Sequence, residues 1–306
     1  MSSLAEEIRH RLGDLSPAER KVARVLLAGY PSAGFETVAT LAERAGVSAP
    51  TVIRFVNRLG YKGFPGFQAA LRDELEERSA SPLELYSTRG YGSGPLLPQP
   101  DDAPEEGARE QEEEQGEGDR EQDVFSAAVA RTLRELPPHD LRAAVGLLSH
   151  PKHRVVLVGG RFTHLLAQYL ALHLMQLRDD VVLLPDRDVE RTAVLAGLGK
   201  QDVLVVFDYR RYEPDKSVIG EMARRRGSKI VLFTDTWLSP VTNVADVVLP
   251  SQVAAPSPYD SLVPTLATVE TVLAGVLGQL GEAGRSHLAH SEAVARQAGL
   301  QPEGGS

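Results

Sequence analysis

The stretch "LVVFDYRRYEPDKSVIGEMARRRGSKIVLFTD", residues 204–235, decides the architecture of the C-terminal half of this chain. An apolar run, Val203 to Phe207, stops abruptly at Asp208-Tyr209-Arg210-Arg211. A helical segment from about Asp215 to Arg226 follows, and a second apolar run, Ile230 to Phe233, closes the unit. Continuous Val- and Leu-rich strands joined through a helix imply burial on both faces, as in a parallel sheet. The alternation extends outward from this unit. Upstream lie strand "RVVLVG" (154–159), helix "THLLAQYLALHLMQL" (163–177), strand "VVLLP" (181–185) and helix "VERTAVLAGL" (189–198). Downstream lie strand "ADVVLP" (245–250) and a long helix from about Ser261 to Leu280, while two helical segments broken at Pro137-Pro138 precede the first strand. The expected fold over 124–284 is a doubly wound α/β domain of flavodoxin type. From Arg285 the chain turns polar and Gly-rich, which suggests a flexible tail over 285–306.

Ligands of open α/β sheets sit beyond the carboxyl ends of the strands, at the point where the strand order reverses. The candidate loops are therefore "GGRFTH" (159–164), "DYRRYE" (208–213) and "TDTWLSP" (234–240). Gly159 and Gly160 permit close backbone approach, and Thr163 can cap the following helix and offer a hydroxyl to an anion. Arg161, Arg210 and Arg211 supply charge. Two readings of the DYRRYE loop stand. In one, the three arginines grip a phosphate or carboxylate by bidentate contact, with Asp208 orienting an arginine or binding a ligand hydroxyl. In the other, Asp208 and Glu213 neutralise the arginines and the pocket is closed or vestigial. Trp237 and Tyr259 are candidates for the core, the pocket or an interface, and Glu270 for a buried partner of an arginine.

Across the whole chain, 306 residues suffice for about two domains, and the formal charge is −9. That charge is local. Residues 99–123, "QPDDAPEEGAREQEEEQGEGDREQD", hold twelve acids and two arginines, which leaves +1 for everything else. A segment so poor in apolar residues cannot offset its ordering entropy. With the Ser-, Pro- and Gly-rich residues before it, it defines an expected disordered acidic linker over 79–123. No apolar run approaches the roughly 20 residues of a membrane span, and no cysteine is present. The expectation is a soluble cytoplasmic protein without membrane contact. The eight histidines show no metal-ligand spacing, so neither a metal site nor a cofactor is expected.

Residues 1–78 form the other expected domain, all helical. Ser16-Pro17 opens one helix. In "ETVATLAERAGVSAPTVIRFVNRLGYKGF" (36–64), Val38, Leu41, Ala42 and Ala45 make one apolar stripe, and Gly46 ends the helix. Ser48 caps the next helix, whose Val52, Val56 and Leu59 point inward, helped by Ile53. This is a helix-turn-helix. The opposite face holds Thr51, Arg54, Phe55 and Arg58, with Asn57 beside them. Arginine pairs with guanine or phosphate and asparagine with adenine, and Ser48 with the adjoining amides can meet a phosphate. Between Arg44 and Arg72 there are five basic residues, including Lys62, and no acid. One basic face on an otherwise near-neutral domain suits double-stranded DNA.

Ser48, Thr51, Arg54, Phe55, Leu59, Gly60, Tyr61, Gly63, Phe64 and Phe67 resemble the ordered pattern of MurR/RpiR-family bacterial transcription regulators. The order of strands and helices over 124–284 likewise resembles a sugar-isomerase-type (SIS) domain. The resemblance implies a dimeric DNA-binding protein whose SIS domain senses a small molecule, usually a phosphosugar, without turning it over. A homodimer or dimer of dimers working at the nucleoid is the expected form. Phosphosugar-binding SIS loops resemble Gly-x-Gly-x-Ser after the first strand and Ser-x-Ser-Gly-x-Thr after the third. Here these positions read Gly159-Gly160-Arg161-Phe162-Thr163 and Asp208-Tyr209-Arg210-Arg211-Tyr212-Glu213. The hydroxyls of the second loop are gone, and Arg211 stands where the pattern has glycine. No base is recognisable for isomerase chemistry, so no catalytic residue and no enzyme activity are expected.

Overall fold

The computed structural model describes residues 4–89 and 124–300, in two compact units divided at Arg89. The acidic run, and all of the expected linker beyond residue 89, lie outside the described residues.

In the N-terminal unit, α1 (Leu4–His10) leads through a single 3-10 turn to α2 (Pro17–Ala28). Ser16 and Glu19 close a reciprocal capping box at the start of α2, as the Ser-Pro signal suggests. Helix α3 (Val38–Ala45) stops at Gly46, which takes φ +60° and returns its amide to the carbonyls of Ala42 and Glu43. Only glycine adopts that conformation freely. Helices α4 (Ala49–Arg58), α5 (Gly63–Ser79) and α6 (Pro82–Arg89) follow. The last occupies sequence assigned to the linker; Ser81 and Glu84 cap it reciprocally. Val22, Leu26, Leu41, Val52, Phe55, Val56, Phe67 and Leu71 form the fully buried centre.

The C-terminal unit opens with α7 (124–135) and α8 (Pro138–Ser149), broken at Pro137 as expected. Then come β1 (Arg154–Gly159), α9 (His164–Leu177), β2 (Val181–Leu183), α10 (Asp188–Ala196), β3 (Asp202–Phe207), α11 (Pro214–Arg226), β4 (Lys229–Asp235), β5 (Val247–Ser251), α12 (Val263–Leu280) and α13 (Glu282–Gln297). All strands pair in parallel, in the order β2-β1-β3-β4-β5, the flavodoxin-like order. Alternate strand residues feed two cores. Val155, Leu157, Val205, Phe207, Val231 and Phe233 pack toward α8, α9 and α12. Val156, Val158, Leu204, Val206, Ile230 and Leu232 pack toward α10 and α11. Helix α12 has the length and composition of a membrane span, yet its Val269, Val272 and Val276 are buried core.

The tail expected from Arg285 is instead α13, which lies against α9. Its polar surface and terminal glycines masked a helix whose residues, apart from Gly284, are largely exposed. Glu270 is also placed differently. It accepts the Tyr169 hydroxyl at 3.1 Å and meets no arginine.

Candidate functional site

Two places carry candidate chemistry, one in each unit. In the N-terminal unit, α4 presents Ile53, Arg54, Asn57 and Arg58 to solvent, with Ser48 ahead of it and Lys62 beyond it. Two expected members of this face are not on it. Phe55 is fully buried and Thr51 is 5% exposed. Phe55 lies one turn from Val52 and Leu59 and joins their core, so the helix turns it away from solvent. Ile53, assigned to the core from sequence, is 41% exposed and sits among the polar residues.

The polar groups of this face are partly committed within the unit. Ser48 is the N-cap by position, but its hydroxyl makes no capping bond and meets the Thr51 hydroxyl at 3.0 Å. Arg54 donates to Thr51 Oγ1 at 3.2 Å. Asn57 Oδ1 accepts the Gly63 amide at 2.9 Å. Arg58 donates to the Asp14 carbonyl and to Glu19 Oε2, each at 3.0 Å. Burial raises the Glu19 carboxyl, but Ser16 hydrogen bonds and the charges of Arg58 and Arg54 outweigh it, so its pKa ends below the ordinary range. Arg58 thus ties α4 to the capped start of α2, while Arg54 reaches only along its own helix.

In the C-terminal unit, β1, β3 and β4 end side by side, with Gly159 opposite Phe207 and Phe207 opposite Phe233. The chain leaves β1 toward one edge of the sheet and leaves β3 toward the other, which opens the crevice at the switch point. Gly159 is required there: a Cβ would come within 2.5 Å of the His164 amide nitrogen. A cavity of about 230 Å³ lies over this crevice, lined by residues of the β1 and β3 loops and by Tyr259, Asp260 and Leu262. The structure therefore brings together Gly160, Arg161, Thr163, Asp208, Arg210 and Arg211, with Gly159 in the neighbouring cleft, whereas the expected third loop, 234–240, does not line the cavity and Tyr259, Asp260 and Leu262 take its place.

The chemistry of these predicted residues follows the second sequence reading only in part: Glu213 faces Arg161 at 3.9 Å, but Asp208 does not serve the arginines. Thr163 makes no helix cap; its hydroxyl accepts from the Gly160 amide at 2.8 Å and donates to the Phe207 carbonyl at 3.0 Å, so it holds the two loops together. Asp208 is 2% exposed and, among the described residues, is bonded by no arginine. It accepts from the Ser239 hydroxyl and, at 3.3 Å, from the Glu213 amide. Burial, helped by nearby Asp235, pushes its pKa up to about 6, against the lowering pull of those bonds and of Lys216. Glu213 Oε1 accepts the Arg161 amide at 2.9 Å and Glu213 Oε2 binds Lys216 Nζ at 2.8 Å.

The counter-ion of the arginine pair is Asp260, which sequence reasoning missed. Arg210 grips it at two atoms, Nε to Oδ2 at 3.0 Å and a terminal nitrogen to Oδ1 at 2.6 Å; Arg211 approaches Oδ2 at 3.5 Å. Asp260 is fifty positions away in a segment without periodicity, so nothing local signalled it. Arg210 also lies over the Trp237 ring, 5.5 Å from its centroid. Arg211 has φ +67°, a left-handed backbone at a non-glycine residue. That is the position where the resembled pattern has glycine. Arg161 remains largely exposed at the rim.

Among the described residues no cluster of metal-ligating side chains occurs. Comparison with known proteins gives a consistent picture. The family model described as a helix-turn-helix domain of the rpiR family matches residues 2–78, and the SIS domain model matches residues 147–275. The transcriptional regulator HexR of Pseudomonas aeruginosa is 26% identical over 286 residues, covering 90% of this chain and 90% of HexR. An uncharacterized helix-turn-helix regulator of Providencia stuartii is 24% identical, covering 82% of this chain and 80% of its own. Among solved structures, the sugar isomerase domain of an RpiR transcription factor from Sphaerobacter thermophilus covers 57% of this chain and 97% of its own, at 25% identity and TM-score 0.53. The Vibrio vulnificus NanR protein, solved in complex with ManNAc-6P, shares the fold at 17% identity and TM-score 0.52, covering 97% of this chain and 99% of its own.

Proposed function

Since this chain belongs to the RpiR-type transcriptional regulators, a helix-turn-helix domain joined to an SIS domain, we propose that it reads its operator with α4 and responds to a small anionic metabolite in the cavity over β1 and β3. The observation that carries the first part is the face of α4: Arg54, Asn57, Arg58 and Ile53 exposed on a rigid helix whose opposite side is fully buried. Such a helix can enter the major groove with guanidinium, amide and apolar groups available to base edges. Ser48 and Lys62 flank it as phosphate contacts.

HexR and the Providencia stuartii relative are transcriptional regulators, and the two carboxyl groups that the β3 loop brings to the cavity, Asp208 and Glu213, are engaged by Ser239 and Lys216. The chain is therefore a sensor and not an enzyme on this reading. A homodimer fits the exposed Phe162, Leu165 and Leu172, which share one side of α9 and its entry. Two heads would then favour a roughly palindromic site.

A second reading has a specific observation behind it. Asp260 neutralises Arg210 and Arg211, as expected of a regulator that binds DNA constitutively and senses nothing. Genome-wide mapping of bound DNA, followed by anisotropy titration of a recovered fragment with and without sugar phosphates, separates the readings. Specific fragments whose affinity shifts with a sugar phosphate support the first. Specific fragments indifferent to every anion support the second, and no enriched fragment refutes both.

A further inference from the structure

We infer that Asp260 is an internal stand-in for the ligand's anionic group, and that a phosphoryl or carboxylate group enters the cavity by displacing it from Arg210 and Arg211. This rests on the reading of the cavity as the effector site and adds how that site is gated.

The geometry of the pair is that of a captured ligand. A carboxylate gripped by Nε and a terminal nitrogen of one guanidinium, with a second guanidinium at 3.5 Å, is the fork arrangement by which arginine holds free carboxylates and phosphates. The cationic side is fixed from behind. The Arg210 amide donates to Asp235, which also accepts the Tyr212 hydroxyl at 2.7 Å and the Trp237 amide at 2.8 Å, while the guanidinium rests over Trp237. Those ties do not involve Asp260, so they outlast its departure.

The anionic side is held less firmly. Asp260 belongs to residues 252–262, a connection between β5 and α12 without helix or strand. A Ser261 amide bond to the Val253 carbonyl at 3.0 Å spans this connection, and its Tyr259 is 61% exposed at the cavity wall. Of the two other carboxyl groups that line the cavity, Asp208 is buried and bound by Ser239 and the Glu213 amide, and Glu213 sits at the start of α11, bound by Lys216 and by the Arg161 amide. Asp260 is thus the acid that can leave. Its release would leave three arginines against two acids along the cavity and free the 252–262 segment, giving ligand entry a conformational output. The apparent affinity for any anion is then reduced by the fraction of time that Asp260 is in place.

Inorganic phosphate is a sufficient probe, and Trp237, the only tryptophan of the chain, reports on Arg210 by fluorescence. In the full-length protein, Asp260→Asn should bind phosphate at least tenfold more tightly than the wild type, because the neutral amide competes poorly for a guanidinium. Equal or weaker binding by a folded Asp260→Asn variant overturns the inference. Should that variant fail to fold, hydrogen exchange on the wild type decides. Phosphate at concentrations that change Trp237 emission should speed amide exchange across 252–262, and unchanged exchange there overturns the inference. Operator affinity measured on the same preparations keeps the two proposals apart. Tighter phosphate binding with no effect on DNA preserves the displaced carboxylate and refutes the sensing role.

Discussion

The two units place their arginines in opposite circumstances. On α4, Arg54 and Arg58 project from a helix into solvent, Arg54 bonded along its own helix and Arg58, still 51% exposed, paired with Glu19 of α2. At the sheet, Arg210 has a side chain 5% exposed, and a carboxylate fifty residues onward compensates it. An exposed guanidinium keeps its hydration and needs no fixed partner, whereas a buried one needs an acid or it costs several kcal/mol. Arg54 can therefore offer its charge to a partner at once, whereas Arg58 and the buried Arg210 must each first give up an internal ion pair.

The sharpest test of this contrast is Phe55→Ala. If Phe55 belongs to the head's core, the change should cost about 3–5 kcal/mol, seen as early loss of the head's unfolding transition in urea. A variant of wild-type stability that loses only DNA affinity would return Phe55 to the reading face.

Next is the pH response of the buried acid. The folded pKa of Asp208, about 6, lies above the ordinary carboxyl value near 4. The folded state therefore holds this proton more tightly than the unfolded chain. The stability associated with that proton is fully present below pH 4 and is lost as pH rises to about 6. Asp208→Asn should remove this component, worth at most about 3 kcal/mol. The difference in melting temperature between variant and wild type should then move in the variant's favour between pH 4 and pH 6. A constant difference across that range would show that Asp208 is not protonated in the window.

Arg54→Ala should weaken specific DNA binding by roughly 1–3 kcal/mol in an anisotropy titration, with little change in stability. Arg58→Ala should divide its effect, with about 1 kcal/mol or less lost from the fold through the Glu19 contact and a lowered salt slope of DNA binding. If Arg54→Ala proves silent on DNA while Arg58→Ala abolishes binding, the assignment of reading and bracing roles is inverted.

The parallel sheet was legible because its strands are unbroken runs of Val and Leu, and the helix-turn-helix because Gly46 divides two apolar stripes. Two of the loops that form the cavity were legible too, since topology alone sends β1 and β3 to the same crevice; the wall formed by Tyr259, Asp260 and Leu262 was not. What escaped was pairing. Asp208 was near Arg210 in sequence and was assigned to it, but the strand end turns the carboxylate inward to Ser239. Asp260 was far away and was not considered. Phe55 and Ile53 were exchanged for a related reason. They flank the Val52, Val56 and Leu59 stripe on opposite sides, so a modest rotation of the assumed buried face trades one for the other. Helix α13 went unseen because its apolar residues are few and scattered.

The left-handed turn at Arg211 carries one more consequence. A bulky residue pays about 1–2 kcal/mol to sit in a backbone shape that glycine adopts freely. Arg211→Gly should therefore release that strain while removing one of the two guanidinium groups that face Asp260.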